Sequence, residues 1–532
     1  MALVGIVPYG SLFIDASWRD ILSGIRDCTI TSPDRQLNTR RLQKIWTTPQ
    51  NPNHVLPCLS VRTGLDLFLT VQRFPAGSEI IMSAINIPDM ARVVKHHGLR
   101  VIPIDIHIET LSPKVELIEG LVTERTVAVL VAHLYGKWFD MTEVIDVARR
   151  HQLYVLEDCA EGFCGFEYIG NPHSDIAFFS FGVIKPSTAF GGAILKIKDS
   201  QLFTAMNEAY SLYPTQSALE YLKKLLKYSV ATVGLNWPFL TGYGVFVVQN
   251  VLGIDHQKMW ISLLRGFPDQ FFQKIRQQPS AGLLSLLVHR CIGFRQKSFQ
   301  VGVNKGRHAD MLLKSSSMIK VGNKAENRNY WLFPILVEKP DEVINSLCKK
   351  GINAYRGATQ LNVIEPQTET SHHLSDQLTH YPEEARFIIN HVVYLPIHKR
   401  VPYYYIERVC YRKLILLIFL EDLCMFLCAV RPVSYPVCVL VQPTTVSYPV
   451  HVSVFQEDLS AVYREENIGL DLHCIGHCQC YDKQVHNLSR HTGCFPMTAL
   501  VSPSMGDIAN KGPVSQGLPY TVQKESEAWL RS

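Results

Sequence analysis

This sequence is short of charge. Only 19% of its 532 residues are charged, and the formal net charge is +5. It has no arginine-rich stripe and no face of interleaved basic and aromatic residues, so nucleic acid is not an expected partner. The first residues, "MALVGIVPYGSLFIDASWRDILSG", lack the basic stretch of a secretory signal, and Asp15 interrupts their apolar run. A cytoplasmic location is the expectation. The 14 cysteines are scattered along the chain, so a reducing compartment is expected and a disulfide framework is not.

One segment lacks charge altogether. From Tyr228 to Ile254, "YSVATVGLNWPFLTGYGVFVVQNVLGI" has the length of a membrane span, but Asn236, Trp237, Pro238 and several glycines break it midway. A lipid-facing helix would leave backbone groups unpaired at that break. Buried helices or a surface-associated hairpin are expected, and peripheral membrane association through 228–254 stays open as an alternative.

What the chain does have, from Leu59 onward, is strand and helix in alternation. "SEIIMSA", "LRVIPIDI", "TVAVLVAHLY", "LYVLEDC" and "DIAFFSF" are short β-rich runs, and "IPDMARVVKHHG", "PKVELIEGLVT" and "DMTEVIDVARRHQ" between them carry helical spacing. Such units predict an α/β fold with a mainly parallel sheet and helices on both faces. Pro88-Asp89 and Asp140 are the expected helix starts. Residues 200 to 315 read as mostly helical. "NYWLFPILVEKPDEVINSLCKKGINAYRG" then opens a small α+β unit, with a helix from Pro340 to Lys350 closed by Gly351 and a strand on either side. By this pattern the chain divides into a leading segment 1–55 with one short helix around Trp18 to Arg26, a large domain 56–315 carrying the apolar insertion 228–254, and a small α+β domain 316–424. A poorly structured tail, 425–532, would follow, with a valine- and proline-rich repeat, "VSYPV", near its start.

The chemistry gathers at strand ends. In a parallel sheet the C-terminal ends of neighbouring strands share the edge where ligands bind. Asp158 closes "LYVLED", Ser180 closes "DIAFFS", and Lys185 follows before the pair Gly191-Gly192. Taken singly, they read as a helix cap, a strand-end hydrogen bonder and a solvated lysine. As an ordered set they match the demands of pyridoxal phosphate: a primary amine for a Schiff base, a buried carboxylate for the pyridine nitrogen, and hydroxyls with free N–H groups for the phosphate. "SVRTGLDLFLTV" at 60–71 offers such a phosphate turn, with Thr63 and Gly64 opening an apolar helix.

On "SVRTGLDL", "VIPIDIHIETL", "VAHLYGKWFDM", "LYVLEDCAEGF", "SDIAFFSFGVIK", "FGGAIL", "INAYRGATQLN" and "VVYLPIH", about residues 55 to 415, the chain resembles the DegT-type pyridoxal-phosphate-dependent sugar aminotransferases, of the aspartate aminotransferase fold (type I). The resemblance implies Lys185 as the Schiff-base and proton-shuttling lysine, Asp158 as partner of the pyridinium, and Ser180, Arg62 and Thr63 as phosphate ligands. Glu161 falls where the family usually has glutamine or histidine near the ring oxygen. Ile87 falls where an aromatic commonly stacks on the ring, Gly182 replaces a histidine, and Val61 replaces a glycine. A family branch with histidine at the lysine position dehydrates sugars, so Lys185 favours transamination. The implied partners are an amino-acid donor such as glutamate, a keto-sugar-like acceptor, and a second copy of the chain in a homodimer. Two alternatives stay open: a cofactor-binding protein with lost or altered catalysis, and a membrane-associated or interaction protein on the same scaffold. Arg356 in "YRG" is a candidate for a substrate carboxylate beside an equal surface role. "HCIGHCQC" at 473–480 lacks paired zinc-knuckle spacing, and no metal is expected. His96-His97 and His372-His373 read as exposed helix or loop residues.

Overall fold

A computed structural model of the chain describes residues 5–254, 270–314, 319–327, 329–357, 359–366, 381–410, 440–441 and 473–474. Two compact units separate, Met1–Val430 and Arg431–Ser532. In the second, the described residues are one parallel pair, Leu440–Val441 with His473–Cys474. The expectations for the tail, the histidine–cysteine cluster and His372-His373 otherwise lie outside the described residues.

The first unit opens on helices α1 (Trp18–Thr29) and α2 (Arg35–Trp46). It then runs through β1 (His54–Cys58), α3 (Val61–Gln72), β2 (Glu79–Ser83), β3 (Ile85–Asn86), α4 (Pro88–His96), β4 (Arg100–Ile104) and α5 (Ile118–Leu121). Next come β5 (Thr126–Ala132), β6 (Lys137–Trp138), α6 (Thr142–Arg150), β7 (Tyr154–Asp158), β8 (Ile176–Ser180) and β9 (Ala193–Ile197). Seven of these strands form one sheet in the order β1-β9-β8-β7-β5-β2-β4. The pairs from β8 through β4 are parallel, whereas β9 runs antiparallel to both β8 and β1.

The near-continuous apolar runs of these strands are explained by cover on both faces. On one face Leu56, Ile80, Met82, Leu130, Leu156 and Phe178 pack with α3 and α4. On the other, Ile81, Val129, Val131 and Val155 meet Val144, Ile145 and Ala148 of α6. Pro88 starts α4 as its first residue, and Asp140 accepts from the N–H of Thr142 at 3.0 Å where α6 begins.

The leading segment holds two helices rather than one. Along "RQLNTRRLQKIW" only Asn38, Leu42 and Trp46 are buried, a stripe too sparse to stand out, and Asp34 caps the helix by accepting from Gln36 and Leu37 N–H groups.

Helices α7 (Ser200–Ser211), α8 (Ala218–Asn236) and α9 (Pro238–Phe246) follow the sheet, and a π-helical turn spans Val247–Val251. Among the described residues no single helix is long and apolar enough to cross a membrane; α8 and Pro238–Val251 reach that length only as a pair bent by 88°. The bend falls at Trp237, just before Pro238. Tyr228, Ala231 and Leu235 of α8 are buried, while Trp237, Phe239, Leu240, Tyr243, Val251 and Leu252 are exposed. The charge-free segment therefore lies in a pair of helices bent nearly at a right angle, with apolar residues outward.

Beyond it, Ile319–Lys320, Phe333–Leu336 and Val392–Leu395 form an antiparallel three-stranded sheet. Helices Pro340–Lys349 and Tyr403–Cys410 supply Val343, Leu347, Ile406 and Val409 to its core. The strand expected at "INAYRG" is a single bridge, Tyr355 to Tyr394. Gly351 ends the first of these helices at φ +78°, where a Cβ would meet the Ile6 carbonyl oxygen at 2.7 Å.

Strand β9 also carries a fully buried lysine. The Lys196 ammonium donates to the carbonyls of Trp46, Asn51 and Asn53 at 2.6, 3.0 and 2.9 Å, tying the end of α2 and the turn after it to the sheet. Lys196→Met is expected to lower stability by about 3 kcal/mol, because three buried acceptors lose their donor. A urea titration checks this; an unchanged midpoint would show that the carbonyls find other donors.

Candidate active site

Strands β7 and β8 run parallel with Asp158 opposite Phe178, and β8 pairs with β9 with Ser180 opposite Ala193. Asp158 and Ser180 thus close two neighbouring strands at the ligand-binding edge. Asp158 is buried, and its Oδ1 accepts from the Ala160 N–H at 3.0 Å. Burial pushes its pKa up to about 6, against the pull of that N–H group, the Lys185 charge and the neighbouring Asn86 amide; Glu161 adds to the rise.

The loop carrying Lys185 departs from ordinary backbone. Ser187 and Phe190, neither of them glycine, have φ of +54° and +58°, and Gly192 follows at +87°. The Thr188 hydroxyl donates to the Gly182 carbonyl at 2.6 Å. The Ser187 N–H donates to Asp15 at 2.9 Å, and Asp15 is itself paired with Lys399. Burial would raise the Asp15 pKa, but Lys399 and Arg290 hold it below the usual carboxylate range. The leading segment therefore pins the lysine loop from outside the sheet.

Lys185 is aimed by two contacts, each fixed by further bonds. Its Nζ donates to Glu161 Oε1 at 3.2 Å and sits 4.1 Å from the centre of the Trp331 ring. The other Glu161 oxygen accepts from the Tyr135 N–H at 2.9 Å. The Trp331 indole N–H donates to the Ile184 carbonyl at 2.7 Å, and its backbone N–H to Asn329 Oδ1 at 2.8 Å. Asn329 Nδ2 donates to the Glu161 carbonyl at 2.8 Å. The "HLYG" turn makes this possible: Gly136 has φ +80°, and a Cβ there would lie 1.6 Å from Asn329 Oδ1.

At the phosphate turn, α3 begins two residues earlier than expected, with Val61 behind an N-cap Ser60 whose Oγ accepts from the Thr63 N–H at 3.1 Å. The Thr63 hydroxyl donates to the Ile275 carbonyl at 2.8 Å, and the Arg62 guanidinium pairs with Asp89 at 2.6 Å. The Gly192 N–H donates to the Leu59 carbonyl and the Phe181 N–H to the Gly192 carbonyl, both at 3.0 Å. These bonds bring the start of α3, the glycine pair and Ser180 to one edge.

The structure thus groups Asp158, Glu161 and Lys185, and sets Ser180, Arg62 and Thr63 beside them. It does not bring in Arg356, whose guanidinium donates to the Asn390 carbonyl at 2.8 Å and faces Asp341. Ile87 is half-buried and precedes α4, its N–H donating to Asn86 Oδ1 at 2.7 Å. Trp331, Asn329 and Asp15 escaped sequence reading because each comes from a distant segment with no motif of its own. His97, expected to be an exposed residue, instead faces the buried Asp66 at 3.0 Å.

A second buried group lies under the sheet. Donor atoms of His133, Glu157 and Cys159 fall within 4.8 Å of one another. Glu157 already accepts from His133, Tyr168, Ser174 and the Asn171 N–H at 2.7–3.0 Å. Its lone pairs are filled by protein, which makes it a structural hub.

Compared with known proteins, the chain first shows its fold. An aminotransferase, TlmJ from Streptoalloteichus hindustanus, superposes with a TM-score of 0.51 at 16% identity, covering 77% of this chain and 97% of that one. The E. coli GDP-4-keto-6-deoxy-D-mannose-3-dehydratase, solved with bound hydrated PLP, superposes with 0.51 at 14%, covering 77% and 99%. Residues 48–230 match the model of the DegT/DnrJ/EryC1/StrS aminotransferase family, which bears out the resemblance drawn from the motifs. The GDP-perosamine synthase of Caulobacter vibrioides is 30% identical over 197 residues, 36% of this chain and 52% of that protein. The matched part spans about half the length of that relative.

The raised pKa of Asp158 gives a pH test. A carboxyl whose folded pKa lies above its unfolded value of 3.8 costs stability once pH rises through that interval. Asp158→Asn is expected to stabilise the ligand-free protein at pH 7 by about 2 kcal/mol and to have little effect at pH 3.5. Denaturant midpoints at the two pH values check it; equal effects at both would contradict the assignment.

Proposed function

We propose that the first unit is a pyridoxal-phosphate-dependent aminotransferase. It moves an amino group from an amino acid such as glutamate to a keto group on a sugar or nucleotide sugar. The observation that carries this reading is the partly buried Lys185 amine, held by Glu161 and Trp331 on a strained loop within the electrostatic reach of Asp158. The donor set fits the cofactor. Asp158 is a buried carboxylate without an ion pair among the described residues, its charged form favoured only by the Ala160 N–H, the Asn86 amide and the charge of Lys185. When bound, the cofactor supplies an electron sink for charge developing at the donor Cα.

The remaining steps belong to the chain. Asp158 would hold the protonated ring nitrogen, whose positive charge would draw the carboxyl pKa back down. Lys185 Nζ is the covalent anchor and the base that carries a proton. Glu161 Oε1 and the Trp331 ring fix where that nitrogen waits. Ser180 and the first turn of α3 take the phosphate. From the resemblance, we carry a homodimer into this reading.

The test is exchange. Protein loaded with pyridoxal phosphate and given glutamate is expected to release close to one equivalent of 2-oxoglutarate, and Lys185→Ala to release none. Cofactor uptake without exchange in the parent would leave a binding protein with lost or altered catalysis.

The exposed apolar side of residues 237–252 favours one further property, attachment of the same domain to an anionic lipid surface. Trp237, Phe239, Leu240 and Tyr243 are exposed at and beyond the bend, and Lys223 and Lys227 are exposed on the preceding helix. Vesicles containing phosphatidylserine are expected to co-sediment the protein, with binding reduced at least tenfold in Phe239→Asp/Tyr243→Asp. Equal sedimentation of the two proteins would contradict it.

A further inference from the structure

The phosphate ligands expected from the motif are largely occupied. The Thr63 hydroxyl bonds Ile275 and Ser60, and the Arg62 guanidinium bonds Asp89. Helix α8, which no motif singles out, sends a different cation to the same place. Lys224 Nζ lies 3.0 Å from where a Cβ on Gly191 would stand, so the absent side chain of Gly191 is what admits the ammonium. Gly191 lies between Ser180 and the start of α3, because the neighbouring Gly192 bonds both Leu59 and Phe181.

We propose that Lys224 is a phosphate-holding residue of the cofactor cradle, supplying from α8 the free cation that completes the Ser180 hydroxyl and the first turn of α3. The inference rests on the cofactor reading above. Among the described residues no hydrogen bond or ion pair engages the Lys224 ammonium, so a partly buried cation with three donors stands beside Gly191, whose neighbour Gly192 bonds the Leu59 carbonyl just ahead of α3. Arg62 has Asp89 as its counter-ion, which leaves the Lys224 ammonium to be answered by an anion near the start of α3. The surroundings agree. Burial, the Arg62 charge and the Lys227 charge push the Lys224 pKa down to about 8, opposed by Glu220 one turn away on the same helix. A phosphate monoester relieves this stress, because it returns to Lys224 the charge partner the protein withholds.

The two ligand forms of the cofactor isolate the claim. Pyridoxal phosphate and pyridoxal share the ring and aldehyde and differ only in the phosphate. Dissociation constants for both are measured by absorbance titration of the full chain, for the parent, Lys224→Met and Lys224→Arg. The parent's preference for the phosphorylated form is expected to fall at least tenfold in Lys224→Met. Affinity for pyridoxal is expected to stay within about twofold, and Lys224→Arg to retain most of the preference. Far-UV circular dichroism confirms that each variant folds; if Lys224→Met does not, Lys224→Gln replaces it. An intact preference in the folded charge-removed variant, or equal losses for both ligands, overturns the inference while leaving the cofactor reading in place. A parent that takes up neither ligand overturns the cofactor reading itself.

Discussion

The shared ending of β7, β8 and β9 is the constraint on which the site depends. Parallel pairing of β7 with β8 puts a carboxylate and a hydroxyl at one edge, and the antiparallel return of β9 brings the lysine loop back to that edge. A slip of one residue in either register would turn Asp158 into the sheet face now filled by Glu157 and its hydrogen-bonding partners. Those partners set the strand from below. Glu157 accepts from four groups, so β7 cannot slide without leaving a buried charge unpaired.

Electrostatics at the edge are arranged by exclusion. Asp158 carries a raised pKa because burial is not matched by an ion pair. Glu161 adds to that burden, while the Tyr135 N–H takes one of its oxygens and the other answers the Lys185 ammonium. A carboxylate therefore stands where the family usually carries glutamine or histidine, with its extra charge balanced locally. By the resemblance, the apolar Ile87 falls at the position of a stacking aromatic. Trp331 serves the lysine rather than a ring, its indole turned by Ile184.

Much of this was legible in the chain. Strand ends are marked by period and by the residue that closes them, so Asp158, Ser180 and Lys185 could be read as one edge before any coordinates. The bend in the charge-free segment was legible as a break at Pro238, although not which side faces outward. What could not be read was supplied by distance in sequence. Trp331 and Asn329 arrive from more than a hundred residues away, Asp15 from the leading segment, and Lys224 from a helix whose sequence is an ordinary amphipathic pattern. Helix α2 was hidden for the opposite reason: its buried stripe is so thin that its cap, Asp34, is its clearest mark. Arg356 was attractive by type alone, and the Asn390 carbonyl shows how readily an arginine finds a structural partner.

The central claim is that Lys185, among all the lysines of this chain, is the amine presented to the cofactor aldehyde. Borohydride reduction of the protein incubated with pyridoxal phosphate, followed by proteolysis and mass spectrometry of the labelled peptides, tests it directly. A single stoichiometric pyridoxyl label on Lys185 is the result expected. A label spread over surface lysines, or fixed on Lys224 with Lys185 unmodified, would contradict the site described above.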